Sequence, residues 1–467
     1  MNRIVPLILA VALFMEQMDS TVIATALPAI AADLEVGPIT LKLALTSYMV
    51  ALAIFIPISG WMADRFGAKN IFRMAILVFI IGSILCAISG TLVQFVLSRF
   101  LQGMGGAMMT PVGRLLLLRT TKRSDLVSAM ALLTIPALIG PLTGPPIGGF
   151  ITTYFTWHWI FIINVPIGFL GIWLSGIYLP KIDTVQPPPI DWLGFFLIAM
   201  AAAGTVFGLS VVSLPALPPA FGISATAVGI LCGFLYIGHQ RRHPSPILSL
   251  SLFRNEAFRA ATSSGTIFRV STGAIPFLMP LMLQLAFGLN PFQSGMITFA
   301  GALGALMVKF VARRVFAATG FKVTLIAAGV LGAVTTSVNG FFTPETSHAL
   351  IIAFLVMSGL CRSFFFTGSN ALSYSEIDDA QASQATSIAS VLQQVSLALG
   401  VAFAAFILEA SSVLSGSHLQ LADFHLAFFI VAGVSLFAVV PLLGLRRDAG
   451  SAVSGHGRAA VETEAAQ

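Results

Sequence analysis

Two acidic residues, Glu16 and Asp19, interrupt an apolar run that otherwise extends from Ile4 to about Pro28. At i and i+3 they share one face of a helix, and a charge at a bilayer centre costs about 2.5–3.5 kcal/mol on insertion scales. They must therefore face a bundle interior or a wet cavity. Two carboxylates held close together away from water suit a group that takes up and releases a proton; the plainer alternative is a polar packing pair. Asp19 is the first choice as proton carrier. A later apolar run places Arg99, Gln102 and Gly106 at i, i+3 and i+7, again one face, with Gly103 and Gly105 letting a neighbour come close. Arg99 is too deep for a loop cation, with snorkelling as the competing reading, and is the expected coupling partner of the acids. Arg114, near the end of that run, is either a substrate contact or an interface anchor.

Three further patterns carry chemistry. Gly140-Pro141-x-x-Gly144-Pro145-x-x-Gly148-Gly149 follows Pro136 by one turn. Glycines four apart make a smooth groove for another backbone, and prolines remove intrahelical hydrogen bonds, so this helix is built to slide and bend. The polar run Gly60 to Arg73 contains Gly60, Asp64, Arg65 and Gly67 as G-x-x-x-D-R-x-G. Asp64 at a helix C-terminus opposes the macrodipole and needs a partner such as Arg65, Lys69, Arg73 or another helix's N-terminus; we read the turn as a latch, against a plain positive-inside loop. Finally, Arg269, Lys309 and Arg362 lie within or at the edges of apolar runs. With Arg99 they outnumber Glu16 and Asp19, so either some snorkel or the interior receives an anion.

The elements that hold these residues are membrane helices. Of 467 residues, 57% are hydrophobic and 9% charged, where soluble domains carry about 25% charged. Mean hydropathy is +0.95, so the net charge of +6 is no sign of nucleic-acid binding. A span needs about 20 apolar residues. Such runs predict helices near 4–28, 42–62, 71–90, 92–115, 127–150, 158–179, 193–212, 221–238, 258–287, 294–316, 322–342, 348–372, 385–411 and 424–445, fourteen in all. With a cytoplasmic N-terminus, that side holds 19 of the 24 basic residues and the opposite side only Lys42. The positive-inside rule then puts both ends in the cytoplasm.

Polar connectors 181–191 and 239–256 bracket the middle pair of helices. The expected plan is a six-helix bundle over 1–180, a linker with two inserted helices over 181–257, a second bundle over 258–447 and a disordered tail over 448–467. Repeats of this kind suit a transporter. Gly301 to Gly320, with Arg313 and Arg314, faintly echoes Gly60 to Gly67, without its acid. Trp157, His158 and Trp159 read as an interfacial anchor. The many Phe and Met residues, 38 and 16, are compatible with an adaptable apolar cavity.

Other chemistries lack support. There is no P-loop for ATP, and the separated Cys86, Cys232 and Cys361 make neither a disulfide framework nor a metal site. No metal-ligand cluster or nucleophile–base pair stands out, so no enzyme and no cofactor is expected beyond the proton motive force. The first apolar run is longer than a signal-peptide core of about 7–15 residues. Expected partners are the lipid bilayer, protons and a small molecule, with no nucleic acid; any periplasmic efflux partner is unknown. A channel or non-transporting membrane sensor is the remote alternative.

These stretches together resemble the major facilitator superfamily, in its fourteen-span drug:proton antiporter branch. Gly60 to Arg73 is similar to the loop signature of the superfamily, with Ala68 where a basic residue is usual. Arg99, Gln102 and Gly103 resemble its fourth-helix motif for proton transfer, and Gly140 to Gly149 its exporter motif. Met18 to Pro28 resembles the first-helix motif of the branch, departing at Met18, Ala24 and Thr25, and 157–168 resembles another, with His158 for Arg. The resemblance implies an all-α major facilitator fold in 6 + 2 + 6 arrangement. It also implies an inner-membrane exporter, driven by inward proton flow, whose halves rock around a midplane cavity. Glu16 is not in that motif.

Overall fold

The computed structural model describes residues 4–121, 126–180, 189–212, 214, 217–378, 381–415, 419–446 and 448–454. Among these there is no strand. Eleven helical segments are long and apolar enough to cross a membrane. The tail residues 455–467 and the cations Arg3, Lys122, Arg123, Lys181, Arg447 and Arg458 lie outside the described residues.

Contacts divide the chain into two compact units, 1–247 with 283–296, and 248–282 with 297–467. The first unit contains α1 (Ile4–Val22), α2 (Leu27–Asp33), α3 (Lys42–Phe66), α4 (Ala68–Ala87), α5 (Leu92–Thr120), α6 (Leu126–Tyr154), α7 (Trp159–Ile162), α8 (Asn164–Tyr178), α9 (Trp192–Val211) and α10 (Pro219–Gln240). The second contains α11 (Glu256–Leu281), the larger part of α12 (Pro291–Val338), α13 (His348–Tyr374), α14 (Ala382–Ser415), α15 (Leu421–Phe437), α16 (Val440–Leu443) and α17 (Ser451–Ser454). The inserted pair α9–α10 goes with the first unit.

Local sequence sets the starts. Thr91, Asp191 and Asn255 cap α5, α9 and α11 by accepting the backbone N–H of Gln94, Gly194 and Phe258, satisfying donors that a helix start leaves free. In the first unit, Leu9, Leu13, Phe72, Phe79, Val112 and Leu116 join α1, α4 and α5 in one core. Phe268, Phe316, Leu325, Phe365 and Leu442 do the same in the second.

The faint echo between the halves becomes a shared device. Gly67 ends α3 at φ +89°, and Gly320 breaks α12 at φ +72°, a backbone conformation that glycine adopts freely. Two residues later comes a lysine in each case. Lys69 Nζ donates to the carbonyls of Gly176 and Leu179 at the end of α8, at 2.8 and 2.5 Å. Lys322 Nζ donates to those of Leu443, the last residue of α16, and Leu445 beyond it, at 2.7 and 2.6 Å. Each ammonium thus closes a helix C-terminus, where orphan carbonyls and the macrodipole favour a cation.

Some expectations change. Trp157 is buried, not an interfacial anchor: its ring meets Phe95 and Phe161 edge-on and its N–H donates to Asp33. Trp159 is exposed, as an anchor would be. Lys42, expected in an outer loop, is fully buried at the first residue of α3. The start of the tail is ordered, since Ser451–Ser454 forms a helical turn and Gly450 (φ +68°) packs on Phe321 and Leu372.

Candidate functional site

Asp19 and Arg99 meet in the core of the first unit, at 0% and 1% exposure, with Arg99 Nη1 donating to Asp19 Oδ2 at 2.7 Å. Neither charge is left to itself. Asp19 Oδ1 accepts from Gln102 Nε2 at 2.9 Å and from Asn164 Nδ2 at 2.7 Å. Gln102 Oε1 accepts from Arg99 Nη1 at 2.5 Å, and Ser83 Oγ lies within reach of both amides. The guanidinium stands over the Tyr48 ring, 4.4 Å from its centroid. Such extra hydrogen bonds are what make a buried ion pair tolerable, although Arg99 Nε and Asn164 Oδ1 stay buried without a partner. The snorkelling alternative for Arg99 therefore fails, because the residue is inside the bundle.

Glu16, one turn before Asp19, is also buried but differently served. Its Oε2 accepts from Thr110 Oγ1 and Gln17 Nε2, each at 3.0 Å, both neutral donors. Among the described residues Glu16 has no ion-pair partner, Arg114 acting on it only from a distance, so protonating Glu16 breaks no such pair, whereas protonating Asp19 must release Arg99. Gly106 leaves the room for this corner, since a Cβ there would stand 3.0 Å from Tyr48 Oη and 3.4 Å from Glu16 Cγ.

Glycines bring the helices around this pair together. A Cβ on Gly103 would lie 2.6 Å from the Tyr48 carbonyl of α3, and one on Gly105 would lie 2.7 Å from the Ala75 carbonyl of α4. Along α6, Gly140 faces Phe14 and Met18, Gly144 faces Thr21, and Gly148 faces Val22 and Thr25. The smooth groove read from the sequence thus receives α1, the helix that carries Glu16 and Asp19. Gly149 turns instead to the backbone of Pro291 and Phe292. Pro136, Pro141, Pro145 and Pro146 all lie inside the one helix α6.

The latch has a different partner from those expected. Asp64 Oδ1 pairs with Arg119 Nη2 at 2.6 Å, both about a third exposed, so the turn is tied to the end of α5. Arg65 is exposed, and Lys69 is committed to α8. Arg73 lies beside Gly176, and Gly60 has open space around it.

In the second unit Arg269 is buried and donates to Asn370 Oδ1 at 2.9 Å, with its guanidinium 5.2 Å from the Phe366 ring. Among the described residues no carboxylate pairs with Arg269 or with Arg362, which is half-buried. The hydroxyls of Thr262 and Thr266, on the same face of α11 as Arg269, have no hydrogen-bond partner. Lys309 is exposed and donates to Thr367 Oγ1, and Arg114 is exposed.

Two residues carried no sequence signal: Ser83 and Tyr48 complete the Asp19 site, yet they are ordinary polar residues in apolar runs and only burial marks them. Asn164 lies in the 157–168 motif, but nothing in the motif assigned it to Asp19. The expectation of no metal-ligand cluster also meets a counterexample. Asp191, His239 and His243 place one potential ligand atom each within 4.8 Å of one another. Burial pushes the Asp191 carboxyl up, but the Gly194 N–H and His239 outweigh it and hold the group below the usual carboxylate range.

This is a polytopic, all-helical membrane protein with an ion pair sealed between its first and fifth helices. A family model described as "Major Facilitator Superfamily" matches residues 9–253 and 261–464. The chain belongs to that superfamily, and is a transport protein. It is 37% identical over 400 residues to "Probable transport protein HsrA" of Haemophilus influenzae, covering 86% of each chain. It is 34% identical over 443 residues to "Putative multidrug resistance protein MdtD" of Escherichia coli, covering 93% of this chain and 94% of that one. Solved structures agree on the fold: a D-xylose-proton symporter superposes with TM-score 0.69 at 13% identity, over 96% of this chain and 98% of the other. A POT family transporter in complex with 5-aminolevulinic acid gives 0.70 at 14%, over 93% and 94%.

Proposed function

We propose that the protein is a proton-coupled antiporter that exports amphipathic small molecules across the inner membrane, with both termini cytoplasmic. Counting α12 as two spans at Gly320, and α5 and α6 as one each, supports fourteen. One observation carries the coupling: Asp19 of α1 and Arg99 of α5 form a buried pair, and α1 also rides on the glycine groove of α6. Proton arrival at Asp19 neutralises the acid and frees Arg99, and loss of that pair is large enough, about 3–5 kcal/mol, to bias a two-state transporter. Glu16 takes a proton without such a loss and serves as the neighbouring relay. The multidrug resistance names of relatives favour drugs as cargo.

Arg269 favours a second reading, export of an organic anion such as a carboxylate or a metal–carboxylate chelate. Its buried charge, met among the described residues by Asn370 and a ring face, and the unpartnered hydroxyls of Thr262 and Thr266 suit a carboxylate ligand.

The test uses inverted membrane vesicles acidified by respiration. A cationic dye, a neutral drug and citrate are added in turn to wild type, Asp19→Asn, Glu16→Gln and Arg269→Met. Discharge of the pH gradient by wild type but not by Asp19→Asn is the expected result, and the responding compound chooses the cargo. Full discharge by Asp19→Asn would make that pair structural and remove it from the coupling; flux indifferent to the proton gradient would favour a channel.

A further inference from the structure

The middle helices α9 and α10 form a tight hairpin. Gly204 and Gly208 of α9 meet Gly229, Gly222 and Thr226 of α10 at backbone distance. The hairpin's open end, where α9 begins and α10 stops, carries the only potential metal-ligand cluster among the described residues. Asp191 caps α9 through Oδ1, which accepts from the Gly194 N–H at 2.8 Å and lies 2.7 Å from His239 Nε2. Its other oxygen, Oδ2, is buried without any hydrogen-bond partner on a residue only 4% exposed. Gly194 leaves the space that this carboxylate fills, since a Cβ there would collide with it.

The two histidines are i and i+4. The helix formally ends at Gln240, but the N–H groups of Arg242 and His243 both bond to the His239 carbonyl, at 3.0 and 3.1 Å. This extra turn keeps the rings on one face, with centroids 5.2 Å apart. Two imidazoles and a carboxylate are the donor set that holds zinc-like ions with a coordination position left open. The same carboxylate also keeps one buried oxygen, Oδ2, without a hydrogen-bond partner.

We propose that Asp191, His239 and His243 bind a divalent transition-metal ion of the zinc class and so staple the open end of the α9–α10 hairpin. The ion takes the place of the proton between His239 Nε2 and Asp191. Binding through His243 also gives up the 3.2 Å bond that its Nδ1 accepts from the exposed Ser245 N–H, a weak contact to lose. Arg241 and Arg242 flank the site but are exposed, so water screens them.

The test is calorimetric titration of zinc chloride into the purified, tag-free full chain in detergent, beside His239→Gln, His243→Gln and Asp191→Asn. Glutamine at 239 can still donate to Asp191, asparagine at 191 can still cap α9, and residue 243 lies past the helix end, so all three should fold. Wild type should bind one zinc ion and melt at higher temperature with it. Each variant should bind at least about 10–100-fold more weakly, the range set by loss of even an outer-shell partner. Absence of zinc binding by wild type overturns the proposal, as does undiminished binding by both histidine variants. Zinc binding by wild type that melts no higher leaves the ion but overturns the staple.

Discussion

Arg99 in the first unit and Arg269 in the second are both buried guanidiniums over aromatic rings, yet their company differs. Arg99 has a carboxylate at 2.7 Å, itself held by two amides. Arg269 has an amide oxygen and a ring. The first site is electrically closed, and the proposed coupling has a proton open it. The second is electrically open, and an anion is what would close it. The same contrast recurs at the surface, where the first unit pairs Asp64 with Arg119 while the matching turn at Gly320 has cations, Arg313, Arg314 and Lys322, but no acid from 313 to 322.

The sharpest way to break this comparison is to delete each cation. Arg99→Met strands a buried carboxylate and should cost about 3–5 kcal/mol in unfolding from detergent. Arg269→Met strands no charge and should fall within about 1 kcal/mol of wild type, or gain stability. Equal losses would mean that Arg269 has a charged partner after all. Next in size is the α1–α6 groove: Gly144→Val inserts methyls against Thr21 and should cost about 1–3 kcal/mol, with vesicle transport abolished even where the protein is made. Transport at the wild-type rate would show that α6 need not ride closely on α1.

The shared lysine device predicts parity between units. Lys69→Met and Lys322→Met each uncap two carbonyls, so each should lower stability by about 1.5–3 kcal/mol, the worth of hydrogen bonds to a charged group. A large loss in one unit and none in the other would dissolve the internal symmetry. The smallest effect belongs to the latch. Asp64→Asn removes a partly exposed pair worth about 0.2–1 kcal/mol, an effect that added salt should erase.

Much of this was legible in the chain. Long apolar runs give membrane helices because a bilayer leaves backbone groups no other partner, and the predicted spans fall on the observed helices to within a few residues. The break at Gly320 was legible too, as were the glycine spacing of α6 and the depth of Arg99. These are local properties of one segment, carried by period and hydropathy. What faced what was not. Asp64 found Arg119, fifty-five positions away, rather than its neighbours Arg65 and Arg73, because α5 ends beside that turn.

Ser83 and Tyr48 gave no signal, since a polar residue in an apolar run reads alike whether it serves a charge or caps its own helix, and Asn164 was visible as part of a motif but not as a partner of Asp19. Asp191 and His239 lie in separate polar connectors, and only the glycine packing of α9 on α10 brings them together. The sequence by itself determined the helices, their bilayer solvent and the types of charge they bury, because those follow from composition and period within each run. Only the tertiary structure decided which charge is paired and which is open, because pairing depends on distances between helices far apart in the chain.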